Sequence, residues 1–445
     1  MTVVSGAWER MDDDLRSAMI ECGKENWAGI YDGVASKNEQ WRPLRPPVMT
    51  QEEYGELTRV AKRLAELVLE ACRRRASKAG ELRERLGVAV NPFEFLDEET
   101  ALTDDLIVSI RPDVVISDGV PKFVECNVGS ALGGAFDSDG VARRYLAAYT
   151  ASGINGFTVP ESAVDTRFQV MKEQLGLADG STSAILFHMG GDYPESQDGH
   201  TLIKRLEPVR DRGREAGLDV VVHPLEWMKL NSEGRLCAGD VVLDSVLRMF
   251  IPQSVPRGPG YDALVTALKT GVVKMFTPSA TWLLANKTTF AWLWEDIDSL
   301  SPADAEVVRK HLPYTEVLSA DGIGRACERR LDLVLKPTGE FGGSGVVVGR
   351  EVTPERWEEA LRTAVAAGRH IVQEFVLADR LAMHFVEMAT GDVREAEVPY
   401  CVAPYVFGGR AAGAYVRFAV PDAAAGSVVN LGTGALTSGL LLTDG

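Results

Sequence analysis

The chain has 445 residues, 45% of them hydrophobic and 25% charged, with a net charge of −17 at pH 7. That is the composition of an ordinary folded protein with length for two or three domains. So acidic a chain is a poor non-specific nucleic-acid binder, because such binding needs Lys and Arg to neutralise phosphates, and no apolar run approaches the roughly 18 residues of a membrane-spanning helix.

The N-terminal stretch MTVVSGAWERMDDD has no basic segment followed by an apolar run, so no secretory signal is expected. Pro43, Pro46 and Pro47 mark a loop. Residues 52–86 follow as one long helical pattern, with Leu57, Val60, Leu64, Leu67, Val68 and Ala71 recurring on one face. The cluster Arg73-Arg74-Arg75 reads as a solvated part of that helix.

The stretch Arg111 to Asn127, RPDVVISDGVPKFVECN, reads as a β-hairpin around the turn Asp118-Gly119. Alternation puts Glu125 and Asn127 on one face of the return strand and points Cys126 away from it. Asp113, Glu125 and Asn127 then form an oxygen ligand set suited to Mg²⁺, which keeps some water and shares phosphate oxygens. Arg111, two residues before Asp113, should face the same way, where a guanidinium would stabilise a phosphoryl group in transfer.

Residues from about 160 to 275 alternate strands with helical patterns, as a parallel sheet does. Strands are expected at Ala184–Phe187, at Asp219–His223 and within Asp240–Phe250, with a charged helix over 199–216. Gly190-Gly191 follows the first strand, where a plain loop is the simpler reading. His188 and His200 flank that loop without an assigned role.

The last third carries most of the remaining chemistry. Lys287 stands at the start of an apolar helical run, and Lys336-Pro337 ends the strand LDLVLK. The loop Gly339-Glu340-Phe341-Gly342-Gly343-Ser344-Gly345 follows, then the strand VVVG. Another apolar strand holds Gln373, Glu374, Phe375 and Val376. Two lysines on separate elements can hold the phosphates of one nucleotide, and a glycine-rich loop can fold over them and present backbone N–H groups. The strand at Glu374 can offer backbone groups to an adenine edge. Neither a Walker A loop nor a G-x-G-x-x-G fingerprint is present. GAYVRFAVPDAAAGSVVNLGTGA reads as a closing hairpin, with Asp422–Gly426 as its turn and Arg417 and Asn430 as candidates to face the same site. Val428 stands where an acidic partner of Asn430 would be, so the metal is placed on the first hairpin. Glu387 and Glu397 read as solvated strand residues. The six cysteines are scattered without C-x-x-C spacing, as free thiols in a reducing cytoplasm would be.

The order of these parts resembles the ATP-grasp superfamily, and within it the permuted branch that includes glutathionylspermidine synthetase. There an R-x-D hairpin ending in E-x-N precedes the two lysines, as Arg111, Asp113, Glu125 and Asn127 precede Lys287 and Lys336 here. The likeness covers the hairpin and residues 280–380 well and residues 1–95 poorly. The family's E-Y-N-A-D continuation is replaced by ECNVGSALGG, beside the metal, where the acceptor carboxylate is expected. No amidase domain is present.

The resemblance implies an α/β (α+β) ATP-grasp fold, with the nucleotide between two α+β subdomains and a Rossmann-like domain before them. The divisions expected are 1–160 (N-terminal region with the hairpin), 161–276 (Rossmann-like), 277–380 (lid and nucleotide subdomain) and 381–445 (core strands). It implies an ATP- and Mg²⁺-dependent carboxylate–amine ligase acting through an acyl phosphate on a small peptide-like or amino-acid metabolite. Asp113, Glu125 and Asn127 would hold the metal. Lys287, Lys336, Gly339, Gly342, Gly343, Ser344, Gly345, Gln373, Glu374, Phe375 and Val376 would hold ATP, with Arg111 and Arg417 acting on the reacting groups. The expected partners are small-molecule carboxylate and amine substrates, not nucleic acid or membrane, and a homodimer stays open. A small-molecule kinase and a non-catalytic nucleotide-binding protein are the alternative functions.

Overall fold

The computed structural model describes residues 8, 11–28, 40–89, 97–189, 199–252, 255–340, 342–421, 429 and 434–444. Gly190-Gly191, Phe341, the turn 422–426, Val428 and Asn430 lie outside the described residues.

A seven-stranded antiparallel sheet forms the centre. Its organising element is the long strand Val393–Phe407. One half of that strand pairs with Arg380–Glu387. The other half is held between Arg410–Phe418 on one side and Ser109–Ser117 on the other. Ser109–Ser117 and Val120–Val128 are the two strands of the hairpin. Its turn forms as expected: Asp118 (φ 50°) and Gly119 (φ 72°) are both left-handed, and both their N–H groups donate to the Asp379 carboxylate at 2.8 Å. An early hairpin is thereby built into a sheet of late strands.

The long helix covers the inner face of this sheet. It runs Gln51–Arg73, and Thr50 and Glu53 cap its first turn reciprocally, Glu53 N donating to Thr50 Oγ1 at 3.1 Å. Leu57, Val60, Leu64, Leu67, Val68 and Ala71 are all buried in the main core with Cys126 of the hairpin. Two expectations need correction here. The 52–86 pattern is two helices, with a break before Ala79–Arg85 where Lys78 bridges to Ala101. The arginine cluster is also not simply solvated. Arg75 pairs with Glu295 and Asp296 at 2.9 and 2.8 Å and lies over the Trp292 ring. Arg74 shares Asp296. These ion pairs tie the end of the long helix to the helix Thr288–Glu295, which begins just after Lys287.

A four-stranded parallel sheet has the order Lys274–Phe276, Ser245–Arg248, Thr182–Phe187, Asp219–Pro224. Within Asp240–Phe250 only Ser245–Arg248 belongs to it. Val241–Val242 instead joins a separate three-stranded meander.

A four-stranded antiparallel sheet, in the region expected from the sequence to be the lid, has the order Thr315–Val317, His370–Glu374, Leu333–Pro337, Val347–Val348. The helix Pro354–Ala367 backs it, and the fully buried Trp357 and Leu361 give it a core of its own. No helix among the described residues is long and apolar enough to cross a membrane.

Candidate active site

The hairpin strand Ser109–Ser117 has alternating burial, so Arg111, Asp113 and Val115 share the half-buried face. Across from them, Arg111 pairs with Asn127 and Asp113 with Glu125. A bulge then skips one residue, so that Val114 pairs with Phe123. Val124 and Glu125 both end up lining the same cavity. That cavity, about 340 Å³, lies between the central sheet and the lid sheet. Asp113, Glu125, Lys287, Lys336, Gln373 and Arg417 supply its polar wall, while Val334, Val348, Phe375, Val376 and Leu377 supply an apolar one.

The electrostatics are tightly knit. Arg417 Nη2 lies 2.7 Å from Asp113 Oδ1 in a buried ion pair. Arg111 Nη2 stands 4.0 Å from the same oxygen. Burial alone would push the Asp113 carboxyl up, but the Arg417 and Arg111 guanidiniums hold it below its usual range. Burial likewise opposes the charge of Arg417, and Asp113 outweighs it, so Arg417 stays protonated. Both arginines have a buried Nε without a hydrogen-bond partner among the described residues.

Lys287 Nζ sits 3.1 Å from Glu125 Oε1 and donates to the Glu340 carbonyl at 2.7 Å. Lys336 Nζ donates to Gln373 Oε1 at 2.6 Å and to the Val124 carbonyl at 3.3 Å. The bulge thus brings a hairpin carbonyl to a lid lysine. Burial pulls Lys336 down to about 8 against the opposing pull of Glu125. Gln373 is fixed in turn by donating to Thr315 Oγ1 at 3.0 Å.

The strand His370–Glu374 does not end with free backbone groups. The N–H groups of Glu374 and Phe375 already donate, to Tyr314 O and Asp332 O at 2.8 Å each, and the Glu374 carboxylate pairs with Arg329 at 3.0 Å. Val376, Leu377 and Ala378 continue the cavity wall beyond them. Arg350 covers the Phe375 ring at 3.8 Å.

In the glycine loop, Gly342, Gly343 and Gly345 all have positive φ (67°, 77° and 69°). Gly343 and Ser344 reach the cavity and Gly339 does not. A second void of about 910 Å³ lies on the other side of this loop, against Ala419, Val420 and Ala435. It is larger, but it contains none of the hairpin's charged groups, so the smaller cavity is the one equipped for chemistry.

Asn127 stands opposite Arg111 two pairs from Asp113 and Glu125, outside the cavity lining. Glu387 is held by Gln40 Nε2 at 2.8 Å and Thr390 Oγ1 at 3.0 Å, and Glu397 is exposed; neither lines the cavity. The lining also includes polar residues that the sequence does not mark as site residues, among them Glu340, Tyr400, Cys401 and Arg380. Glu340 has no pattern of its own inside a glycine-rich loop. Cys401 is level with Val115 and Arg417 across three strands, a neighbourhood set by pairing that no local pattern encodes. Tyr400, beside it, lines the cavity for the same reason. Burial pushes Cys401 up to about 11 and Cys126 up to about 12, so both thiols are protonated near neutrality and neither is a nucleophile.

The fold can be placed among solved structures. A glutathione synthetase-like effector from Globodera pallida, in its apo form, overlays this chain with a TM-score of 0.56 at 12% identity, covering 97% of this chain and 96% of that one. The chain has an ATP-grasp fold. A protein assigned as gamma-glutamylcysteine synthetase from Methylobacillus flagellatus (TM-score 0.44, 11% identity, 75% and 80% of the two chains) is a slighter likeness. So is D-alanyl-alanine synthetase A from Vibrio cholerae (TM-score 0.29, 14% identity, 52% and 69%). Neither carries an argument. No protein-family model matches the chain, and neither does any curated sequence. In ATP-grasp terms, the small antiparallel sheet is the lid, the central sheet is the core, and the parallel sheet is the Rossmann-like unit.

The residues present fit a hydrated Mg²⁺. Among the described residues no three His, Cys, Asp or Glu side chains converge on one point. Asp113 and Glu125 do face each other across the hairpin, and Mg²⁺ in phosphate sites takes one or two carboxylates and completes its shell with water and phosphate oxygens.

Proposed function

We propose that this chain is an ATP-dependent carboxylate–amine ligase of the cytoplasm, joining two small molecules, at least one of them amino-acid- or peptide-like. The observation that carries this reading is the single cavity between lid and core in which Asp113, Glu125, Lys287, Lys336 and Arg417 converge. Phosphoryl transfer asks mainly for positioning and for balance of developing charge, and this wall holds both signs within ion-pair distance.

Lys287 and Lys336 bind the nucleotide phosphates from the core side and the lid side. The wall of Val334, Val348 and Phe375 packs the base, with the Val376 N–H on its edge. Asp113 and Glu125 would hold Mg²⁺, which supplies neutralisation of phosphate charge when bound. Arg111 and Arg417 steer the substrate carboxylate to the γ-phosphorus and then balance the oxyanion formed when an amine adds to the acyl carbon. The glycine loop closes over the site and keeps water from the acyl phosphate. No protein nucleophile takes part.

A test follows from the oxygen bookkeeping of an acyl phosphate. With the substrate carboxylate labelled in heavy oxygen, one labelled oxygen must appear in the released phosphate. Unlabelled phosphate would instead mark plain ATP hydrolysis, and a stable phosphorylated product would mark a kinase; either would contradict the ligase.

A further inference from the structure

The proposed function calls for a substrate carboxylate but leaves open what selects its bearer. The loop after the hairpin, residues 129–134, runs between buried arginines whose charge the chain itself does not balance.

Arg248 ends the strand Ser245–Arg248 and is 2% exposed. Its Nη1 donates to the Phe250 carbonyl at 2.5 Å, and its Nε has no partner among the described residues. The Nε–Nη2 edge, the planar fork that matches a carboxylate, is therefore left over. Burial pulls this guanidinium down to about 10, with no neighbouring carboxylate among the described residues to oppose the fall, and at neutral pH it is still a cation. A buried cation without an anion costs the fold free energy, so its presence points to an anion from outside the chain. Arg167 is equally buried, and its Nη1 meets Met249 Sδ at 3.6 Å instead of an acid. The carboxylate nearest in effect, Asp139, is engaged by Ser162 Oγ at 2.6 Å. Two buried hydroxyls without partners among the described residues sit at the same corner. Ser130 follows Gly129, and Thr277 follows Phe276, which pairs with Leu247 beside Arg248.

There is room along the loop. Apart from its chain neighbours, a side-chain carbon built on Gly129 (φ 138°) would have one atom of the described residues within 4 Å, Arg248 Nη2 at 3.9 Å. One built on Gly133 would have none. At the Gly133 end the loop meets the reaction cavity. The Gly133 carbonyl accepts from Arg111 Nη1 at 2.8 Å and from Tyr405 Oη at 2.5 Å. Arg111 Nη2 in turn stands 4.0 Å from Asp113 Oδ1, in the cavity wall. At the other end the Gly129 N–H donates to the Ser109 carbonyl at 2.9 Å, and Ser109 lies two residues, or about 7 Å, before Arg111. The four steps from Gly129 to Gly133 span at most roughly 14 Å. The two ends of the loop are thus on the order of 7–14 Å apart, the reach of about two to four extended residues.

We propose that Arg248, with Ser130 and Thr277 beside it, binds a second carboxylate of the substrate, remote from the one that reacts at Arg111 and Arg417; this rests on the ligase reading. The site then selects a short acidic peptide over a neutral one of the same length. Arg167 adds to the positive field without touching the ligand.

Matched peptides separate this proposal from the reading it rests on. Di- and tripeptides with an N-terminal Glu are compared with the same peptides carrying Gln there. Each is given with Mg·ATP and hydroxylamine, which traps an acyl phosphate as hydroxamate. The wild type should favour the Glu peptides by about 10-fold or more in KM, the worth of one charge-assisted pair. Arg248→Met should erase that preference with kcat little changed, because a lost remote contact raises KM alone. Arg248→Lys, which keeps the charge without the fork, should restore part of it. Free Arg248→Met should melt no lower than the wild type, since it removes a buried cation that has no anion; an arginine with a merely structural role would lower the melting temperature. A preference kept in Arg248→Met, its absence from the wild type, or a lowered melting temperature with equal loss for both peptide sets would overturn the assignment. Hydroxamate from no peptide would instead sink the ligase reading. The carboxylate site would then be decided by melting without ATP: Glu peptides that stabilise the wild type and not Arg248→Met support it, and equal effects on both overturn it.

Discussion

Asp113 is held between two guanidiniums, Arg417 at 2.7 Å and Arg111 at 4.0 Å. The proposed function gives the same residue a part in the reaction. Asp113→Asn should abolish turnover and also cost about 3 kcal/mol in urea unfolding, since two buried cations lose their anion. Glu125 pairs with the buried Lys287 at 3.1 Å and also pulls on Lys336, so Glu125→Gln should abolish turnover and likewise cost about 3 kcal/mol, because a buried cation loses its anion. Full activity in either variant would contradict the metal assignment. Lys336 carries a pH signature. Because burial lowers it to about 8, the folded chain gives up its proton before the unfolded chain does. Above pH 8 the unfolded state binds more protons, so this residue's contribution to stability rises with pH up to its ordinary value. Nucleotide affinity should fall over the same range as the charge is lost. Both slopes should flatten in Lys336→Met, read by denaturation and by nucleotide titration; unchanged slopes would show that Lys336 is not the titrating group.

At the scale of elements, the hairpin was the most legible part of the chain. Asp118-Gly119 sets its turn, and two-residue alternation sets the faces of Arg111, Asp113 and Cys126. The bulge at Val124 was not legible, because an extra residue leaves no mark in an alternating pattern of mixed polarity. It is nonetheless what delivers the Val124 carbonyl to Lys336. The long helix was legible on its apolar face but not at its end. Its C-terminal arginines are fixed by acids more than 200 residues away in sequence, which no local pattern records. Thr50→Ala removes one half of the capping box and should cost about 1 kcal/mol in thermal unfolding. In the lid, Gly345 has a φ of +69°, and a side chain there would meet Pro337 Cγ at 3.1 Å. Gly345→Ala should strain the loop by about 1–2 kcal/mol, lowering kcat through lid closure. The global melting temperature should hardly move, because the lid has its own core. Equal losses in both would show that the loop is structural.

For the whole molecule, the parallel sheet between two mixed regions was legible in the sequence. The sequence could not show that the strand Val393–Phe407 would take the early hairpin on one edge and Arg410–Phe418 on the other. That pairing makes one cavity from residues 113 to 417, and it depends on contacts across the length of the chain. The most direct test of the account is release of ADP and phosphate from Mg·ATP, with and without a mixed pool of amino acids and short peptides, followed by mass spectrometry. The account predicts pool-dependent release of both, with a new species equal in mass to two components less one water. Release of ADP with a phosphorylated component, or tight ATP binding without any pool-dependent turnover, would contradict it.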